Sequence, residues 1–240
     1  MKEKLNLLVF AAHPDDAELG CGGIIAKHAS MGWSVGIVDL TEGQLSTRGN
    51  VEDRRKEAAE SAHILGLSAR HNLGFEDGFF VNDSAHREKM IEQIRRFQPD
   101  IVLCNAPSDR HPDHGRAATM ALEACFYAGL SKIETTWDGV PQDPWRPKAV
   151  YHFIQFYDLT PSFLVDITGF EQQKLAAIQS FKSQFYNPTS EEPTTLISTK
   201  AFMDSLLHRT AEWGLQMGVS HAEGLISVRI TGLQSLHALL

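Results

Sequence analysis

Cysteine is scarce and badly placed for cross-linking. The three residues, Cys21, Cys104 and Cys125, are odd in number and form no CxxC pair. That excludes a disulfide framework and a cysteine-based zinc knuckle. Cys104 ends the apolar run IVLC and Cys125 sits in an apolar helical pattern, so buried, reduced thiols are expected. Long apolar runs are absent too. None approaches the roughly 20 residues that cross a bilayer, and the roughly seven apolar residues before His13 are too few for a secretory leader. A cytoplasmic location is expected. Positive charge is in deficit: 22 basic side chains stand against 30 acidic ones, a formal net charge of −8. The densest basic run, Arg54-Arg55-Lys56, is flanked by Asp53 and Glu57. Nucleic acid and anionic membranes, which demand the opposite sign or a basic stripe, are not expected partners. No internal repeat or low-complexity tract is present.

What remains is an ordinary globular composition. Hydrophobic residues make up 42% of 240, enough for one core, and one domain over 1–240 is expected. Residues 5–12 form a nearly continuous apolar run, which suits a strand covered on both faces. Gly20-Cys21-Gly22-Gly23 opens a predicted helix to about residue 31. Further strands are predicted at 33–40, near 71–73, at 100–104 and at 149–154. Helices are predicted at 52–65, with Gly66 as its stop, and at 86–97, 114–129, 170–182 and 199–217. The polar loop 186–198 is a candidate lid. Alternating strands and helices imply an α/β fold: a Rossmann-like, doubly wound, mostly parallel sheet with helices on both faces. Ligands in such folds gather outside the carboxyl ends of the strands.

Two His/Asp-rich segments fall at such ends. The first is Ala12-His13-Pro14-Asp15-Asp16-Ala17-Glu18, where a helical turn lets His13 and Asp16 face one point. Pro14 suits the start of that turn, and Asp15 must project elsewhere. The second is Asp109-Arg110-His111-Pro112-Asp113-His114-Gly115, with two histidines three apart. Imidazole and carboxylate both bind zinc, and two histidines with one carboxylate leave a position open for water, the pattern of a catalytic site. Either segment alone reads equally as a surface turn; their joint placement favours chemistry. The lone histidines at 28, 63, 71, 86, 152 and 208 read as surface or core residues. Gly20-Cys21-Gly22-Gly23 is not a dinucleotide turn, because G-x-G-x-x-G is absent and acids stand before it. It suits a close approach of helix to sheet. The loop 43–49 is either a pocket wall or a flexible surface loop.

The pattern A-H-P-D-D-A-E-L-G-C-G-G with the later R-H-P-D-H-G-R resembles the PIG-L/LmbE-like family of zinc-dependent N-deacetylases. The likeness continues through DLTEGQLSTRG, VEDRRKEA, NLGFEDGFF, PKAVYHFIQF, KSQFYNP and GVSHAEGL, nearly the whole chain. Within the family it is most similar to the bacillithiol-pathway deacetylases that act on N-acetylglucosaminyl-malate. The resemblance implies one zinc ion per chain, held by His13, Asp16 and His114. It implies Asp15 as general base, a protonated His111 steadying the oxyanion, Asp113 orienting His111, and Arg54 contacting substrate, with Arg55 as its competitor. It also implies a homo-oligomer, a hexamer being one form. Tyr186 and His221 stand near family positions without an assigned role. Competing expectations are a deacetylase of another small amide or conjugate, a phosphoester hydrolase, and a non-catalytic glycoside- or nucleotide-binding protein.

Overall fold

The computed structural model describes residues 4–232, 235 and 237. The first strand, β1 (Leu7–Ala11), is buried along its whole length. Period-two alternation divides its side chains between two cores. Leu7, Val9 and Ala11 join one cluster with α1 (Asp16–Ser30), the end of α2 (Val51–Leu65) and α5 (Glu171–Gln179). Leu8 and Phe10 join the other, with α3 (Ser84–Phe97) and α4 (Pro112–Tyr127). Helices therefore cover both faces of the sheet.

β1 pairs in parallel with β2 (Val35–Thr41) and β4 (Ile101–Cys104). β3 (Ala69–Phe75) lies outside β2, and β7 (Ala149–Phe153) beside β4, both parallel. A small hairpin, β5 (Thr136–Trp137) and β6 (Val140–Pro141), stands apart. β9 (Ala222–Ser227) runs antiparallel between β7 and β8 (Phe163–Asp166), giving a mostly parallel seven-stranded sheet in the order β3-β2-β1-β4-β7-β9-β8. The helix α6 (Lys200–Met217) packs over β9 and β8. The alternation in β8 and β9 is too short and mixed to read from sequence, and neither strand is predicted. Among the described residues, no helix is long and apolar enough to cross a membrane.

The first helix departs from the sequence expectation. It starts at Asp16, not Gly20, and breaks at Cys21, where φ is −147°. The break frees backbone amides that must find acceptors. Gly23 N and Ile24 N donate to the Glu223 carboxylate at 3.0 and 2.7 Å. Lys174 Nζ neutralises that carboxylate from 2.5 Å. The glycines serve the close approach expected of them: a Cβ at Gly20 would overlap the Phe153 ring, and one at Gly23 would lie 2.6 Å from Ile167.

The loop 186–198 is fastened at its base. Arg48, buried, donates to Ser183 O and Ser190 Oγ, each at 2.8 Å, and Gly49 N donates to Glu192 Oε1 at 2.7 Å.

Candidate metal centre

The carboxyl ends of β1 and β4 deliver the two His/Asp segments to one point. Asn105, just beyond β4, accepts Ala12 N on Oδ1 at 2.9 Å and donates Nδ2 to Asp16 Oδ2 at 3.1 Å. The chain then turns through Pro14 to Asp15, whose φ of 122° and ψ of −23° are rare for a residue with a Cβ. This turn places Asp16 at the first position of α1, where its Oδ2 accepts His13 N at 2.9 Å.

Asp16 lies between two imidazoles. His13 Nδ1 is 3.4 Å from its Oδ2, and His114 Nε2 is 3.3 Å from its Oδ1. The second nitrogen of each ring meets a carboxylate: His13 Nε2 meets Asp77 at 3.0 Å, and His114 Nδ1 meets Asp109 at 2.8 Å. A carboxylate behind an imidazole holds the ring proton there and leaves the front nitrogen's lone pair for a metal. His111 is wired the opposite way. It caps α4, and its Nδ1 accepts the Asp113 backbone N–H at 3.3 Å. Its Nε2 therefore carries the proton in the neutral ring. This matters because His13, His111 and His114 can also present one nitrogen each within 4.8 Å of one another, as can a His13, Asp77 and Asp113 group. The carboxylates behind His13 and His114 prepare those two rings as ligands once they give up a proton, and the backbone amide on His111 prepares that ring as a donor. The residues fit a divalent ion of the zinc type, through two nitrogens and one carboxylate.

Charge tells the same story. Burial alone would lower the His114 pKa, but the Asp16 charge and the Asp109 contact outweigh it and raise it to about 9. For His13 burial is likewise outweighed, by contacts with Asp113, Asp16 and Asp77, and its pKa is also raised. Burial pushes Asp15 up to about 7, with Arg54 opposing and Asp16 adding to the shift. Burial is also the first cause that lowers the His111 pKa, and the positive neighbours His13 and His114 reinforce it. In its neutral form His111 offers the cleft an Nε2–H, where the sequence expectation has a protonated ring.

The centre lies in a cleft of about 300 Å³, walled by Asp15, Arg54, Arg110, His111 and Gln155, and by Thr195, Leu196 and Ile197 of the late loop. Leu45, Ser46 and Thr47 also line it, so the loop after β2 is a wall. Arg54 is buried with Nη2 3.3 Å from Asp15 Oδ2, and its Nε has no partner. Arg55 is exposed and pairs with Glu42. Asp113 needs correction: its carboxylate accepts Gly78 N at 2.8 Å and Arg116 Nη1 at 2.6 Å, and approaches His13 at 3.5 Å. Its link to His111 runs through the backbone instead. Tyr186 is exposed and His221 bonds Thr210, and neither lines the cleft.

Sequence reasoning missed Asp77, Asp109, Asn105 and Gln155, whose Nε2 donates to Asp16 Oδ1 at 2.6 Å. Asp109 stood inside a quoted His/Asp segment, and Asp77 and Gln155 inside the family segments NLGFEDGFF and PKAVYHFIQF without a role; Asn105 lay outside them all.

The family described as PIG-L, GlcNAc-PI de-N-acetylase, matches residues 8–125, the span holding every residue of both His/Asp segments. Diacetylchitobiose deacetylase of Thermococcus kodakarensis is 33% identical over 190 residues, covering 75% of this chain and 70% of that protein. 4-Oxalmesaconate hydratase of Pseudomonas putida is 30% identical over 197 residues, covering 75% and 74%. A conserved Thermus thermophilus protein of known structure superposes with a TM-score of 0.84 at 36% identity, covering 96% of this chain and 98% of that one. With two relatives at or above 30% identity over most of their own length, and a profile match that contains the centre, the chain belongs to the PIG-L family.

Proposed function

We propose that the chain is a zinc-dependent N-deacetylase that hydrolyses the acetamide of an N-acetylglucosamine conjugate, releasing acetate and the free amine. The single observation that carries this is the opposed wiring of the centre. His13 and His114 each set one nitrogen against Asp16 and the other against a second carboxylate, ready to bind an ion once deprotonated, while His111 turns an N–H toward the same cleft. His13, Asp16 and His114 would hold the ion, one per chain. Bound there, it supplies a Lewis acid that polarises the amide carbonyl and acidifies a water. Asp15, a buried carboxyl exchanging its proton near neutrality, takes a proton from the attacking water and returns it to the leaving nitrogen. His111 Nε2–H donates to the oxygen on which charge develops. Arg54 keeps Asp15 in place and, lining the cleft, can meet the sugar. Asp113 acts by holding His13 and the Gly78 turn.

The resemblance points further, to N-acetylglucosaminyl-malate of bacillithiol biosynthesis. The reacting centre does not distinguish that conjugate from others, so the choice lies in what surrounds the aglycone. The Thermococcus relative is a diacetylchitobiose deacetylase by name. We read the fold as Rossmann-like in plan, carried by one domain and working in the cytoplasm. A binding-only nucleotide role is disfavoured, because the N-terminus of α1 carries the carboxyl groups of Asp15, Asp16 and Glu18 where a phosphate would have to sit. Leu45 and Leu196 line the cleft and are exposed, which supports a homo-oligomer.

The test is metal analysis of the purified chain with acetate release from N-acetylglucosamine, its malate and inositol conjugates and diacetylchitobiose. Stoichiometric zinc and chelator-sensitive acetate support the reading. The Pseudomonas relative favours a second reading, addition of water to a carbon–carbon double bond. Loss of the ultraviolet absorbance of an unsaturated dicarboxylate, with no acetate from any sugar, would select it.

A further inference from the structure

The acids around the cleft are held in different ways. Asp15 takes the guanidinium of Arg54 at 3.3 Å, and Asp113 that of Arg116 at 2.6 Å. Asp16 instead takes three neutral N–H groups: His13 N and Asn105 Nδ2 on Oδ2, and Gln155 Nε2 on Oδ1 at 2.6 Å. A cation there would compete with a metal for the carboxylate, whereas an amide orients the oxygen and leaves its charge available. Nothing in the proposed chemistry assigns a role to Gln155.

Distance does not tell which oxygen of Asp16 an ion would take. His13 Nδ1 stands 3.4 Å from Oδ2 and His114 Nε2 3.3 Å from Oδ1, both near the roughly 3.3 Å that separates two ligands of a tetrahedral ion with bonds of about 2.0 Å. The donors decide. Each carboxylate oxygen has two lone-pair sites, and the N–H groups of His13 and Asn105 fill both on Oδ2. Oδ1 accepts Gln155 alone and keeps one site, facing His114. Gln155 can present only Nε2 to Asp16, because its oxygen would meet a carboxylate oxygen. Its Oε1 is then buried without a partner among the described residues. An unpaired buried acceptor is costly, and an apolar side chain of the same length would avoid it. The fold alone gives no reason for an amide here.

Gln155 is itself held from behind. It lies two residues beyond β7, and Arg209 of α6 donates one terminal nitrogen to Gln155 O and the other to Phe156 O. The Arg209 guanidinium in turn lies 5.9 Å from the centre of the Trp213 ring, one turn further along the same helix. We propose that Gln155 is a positioning residue for the ion: its amide holds Asp16 Oδ1 as the ligand oxygen, and Arg209 sets that amide through the backbone. The inference rests on the ion site of the deacetylase reading and not on its substrate.

Zinc affinity of the full chain, measured by competition with a chromophoric chelator, tests it without any sugar present. Gln155→Met keeps the length and removes the donor, and is expected to weaken zinc binding about 10- to 100-fold. Gln155→Leu, also without a donor, is expected to match it and serves if the first variant does not fold. Arg209→Lys is expected to weaken binding by a smaller factor in the otherwise unchanged chain and by nothing further beside Gln155→Met, because its effect passes through the amide. An Arg209 that served the fold alone would give the same factor in both backgrounds. Wild-type zinc affinity in a folded Gln155→Met or Gln155→Leu chain overturns the proposal, and so does an Arg209→Lys factor that is the same in both backgrounds. Acetate release from N-acetylglucosamine is followed in parallel. The expected zinc losses with no acetate from the unchanged chain sink the deacetylase reading and leave Gln155 its role; acetate together with wild-type zinc affinity in Gln155→Met does the reverse.

Discussion

His114 Nδ1, in the first turn of α4, sits 2.8 Å from Asp109 Oδ2 in the loop before that helix, while its Nε2 faces Asp16 at 3.3 Å. The carboxylate fixes the ring's tautomer and orientation, and raises the basicity of the nitrogen offered to the ion. Asp109→Asn keeps the shape and removes the charge. We expect zinc affinity to fall about 10- to 100-fold, measured by competition with a chromophoric chelator. Unchanged affinity would mean that Asp109 merely fastens the loop.

Metal uptake should release protons. In the metal-free chain the His114 pKa is about 9, above the ordinary value of 6.5, so the ring carries a proton at neutral pH. A ligand nitrogen must give that proton up. Affinity should therefore rise with pH across the interval up to about 9 and level beyond it. The sign for folding is opposite. A raised histidine pKa contributes stability to the metal-free chain that is full below 6.5 and lost as pH rises through about 9. Calorimetry of zinc binding in buffers of different ionisation enthalpy counts the released protons. A count of zero near pH 7 contradicts the arrangement.

Asp15 combines two costs in one residue: a positive φ of 122° and a buried carboxyl beside Asp16. Strain of this kind costs on the order of 1–3 kcal/mol and persists only where the surroundings impose it. Asp15→Gly should raise the melting temperature of the metal-loaded chain and lower kcat by about 100- to 10,000-fold, the range for a lost general base. Asp15→Asn should lose the same activity with a smaller stability gain, because it removes the buried acid but its Cβ keeps the strain. If either variant turns over at the wild-type rate with zinc bound, another group is the base.

How much was legible in the sequence depended on distance along the chain. His13 with Asp16, and His111 with His114, announce themselves because both partners lie within one turn of backbone after an apolar strand. Asp77 does not, because it meets His13 across 64 positions, and Gln155 reaches Asp16 across 139. Such pairs are made by the sheet, which sets the ends of β1, β4 and β7 side by side. Arg54 and Arg55 were inseparable by pattern, and only the rotation of α2 sends the first into the cleft and the second to Glu42. The tautomer of His111 was hidden for another reason. It depends on a backbone N–H, which carries no side-chain signature, and this is why a protonated ring was the natural expectation.

The pair Lys174–Glu223 gives the sharpest test of the fold itself. Glu223 takes two amides at the break in α1 and one ammonium, all buried, so its carboxylate serves a helix start and an ion pair together. Removing one member strands the other. Glu223→Ala should cost roughly 3–5 kcal/mol, since Lys174 is left charged among apolar neighbours and two amides lose their acceptor. Lys174→Met alone should cost a similar amount by leaving the carboxylate unneutralised. The double variant Lys174→Met/Glu223→Ala should be less destabilised than the sum of the two single changes, because neither residue leaves a buried charge behind. Urea denaturation of the four chains measures this coupling. Additive losses would show that the two residues stabilise the break independently, and that the amides at Gly23 and Ile24 are satisfied without a neutralised carboxylate.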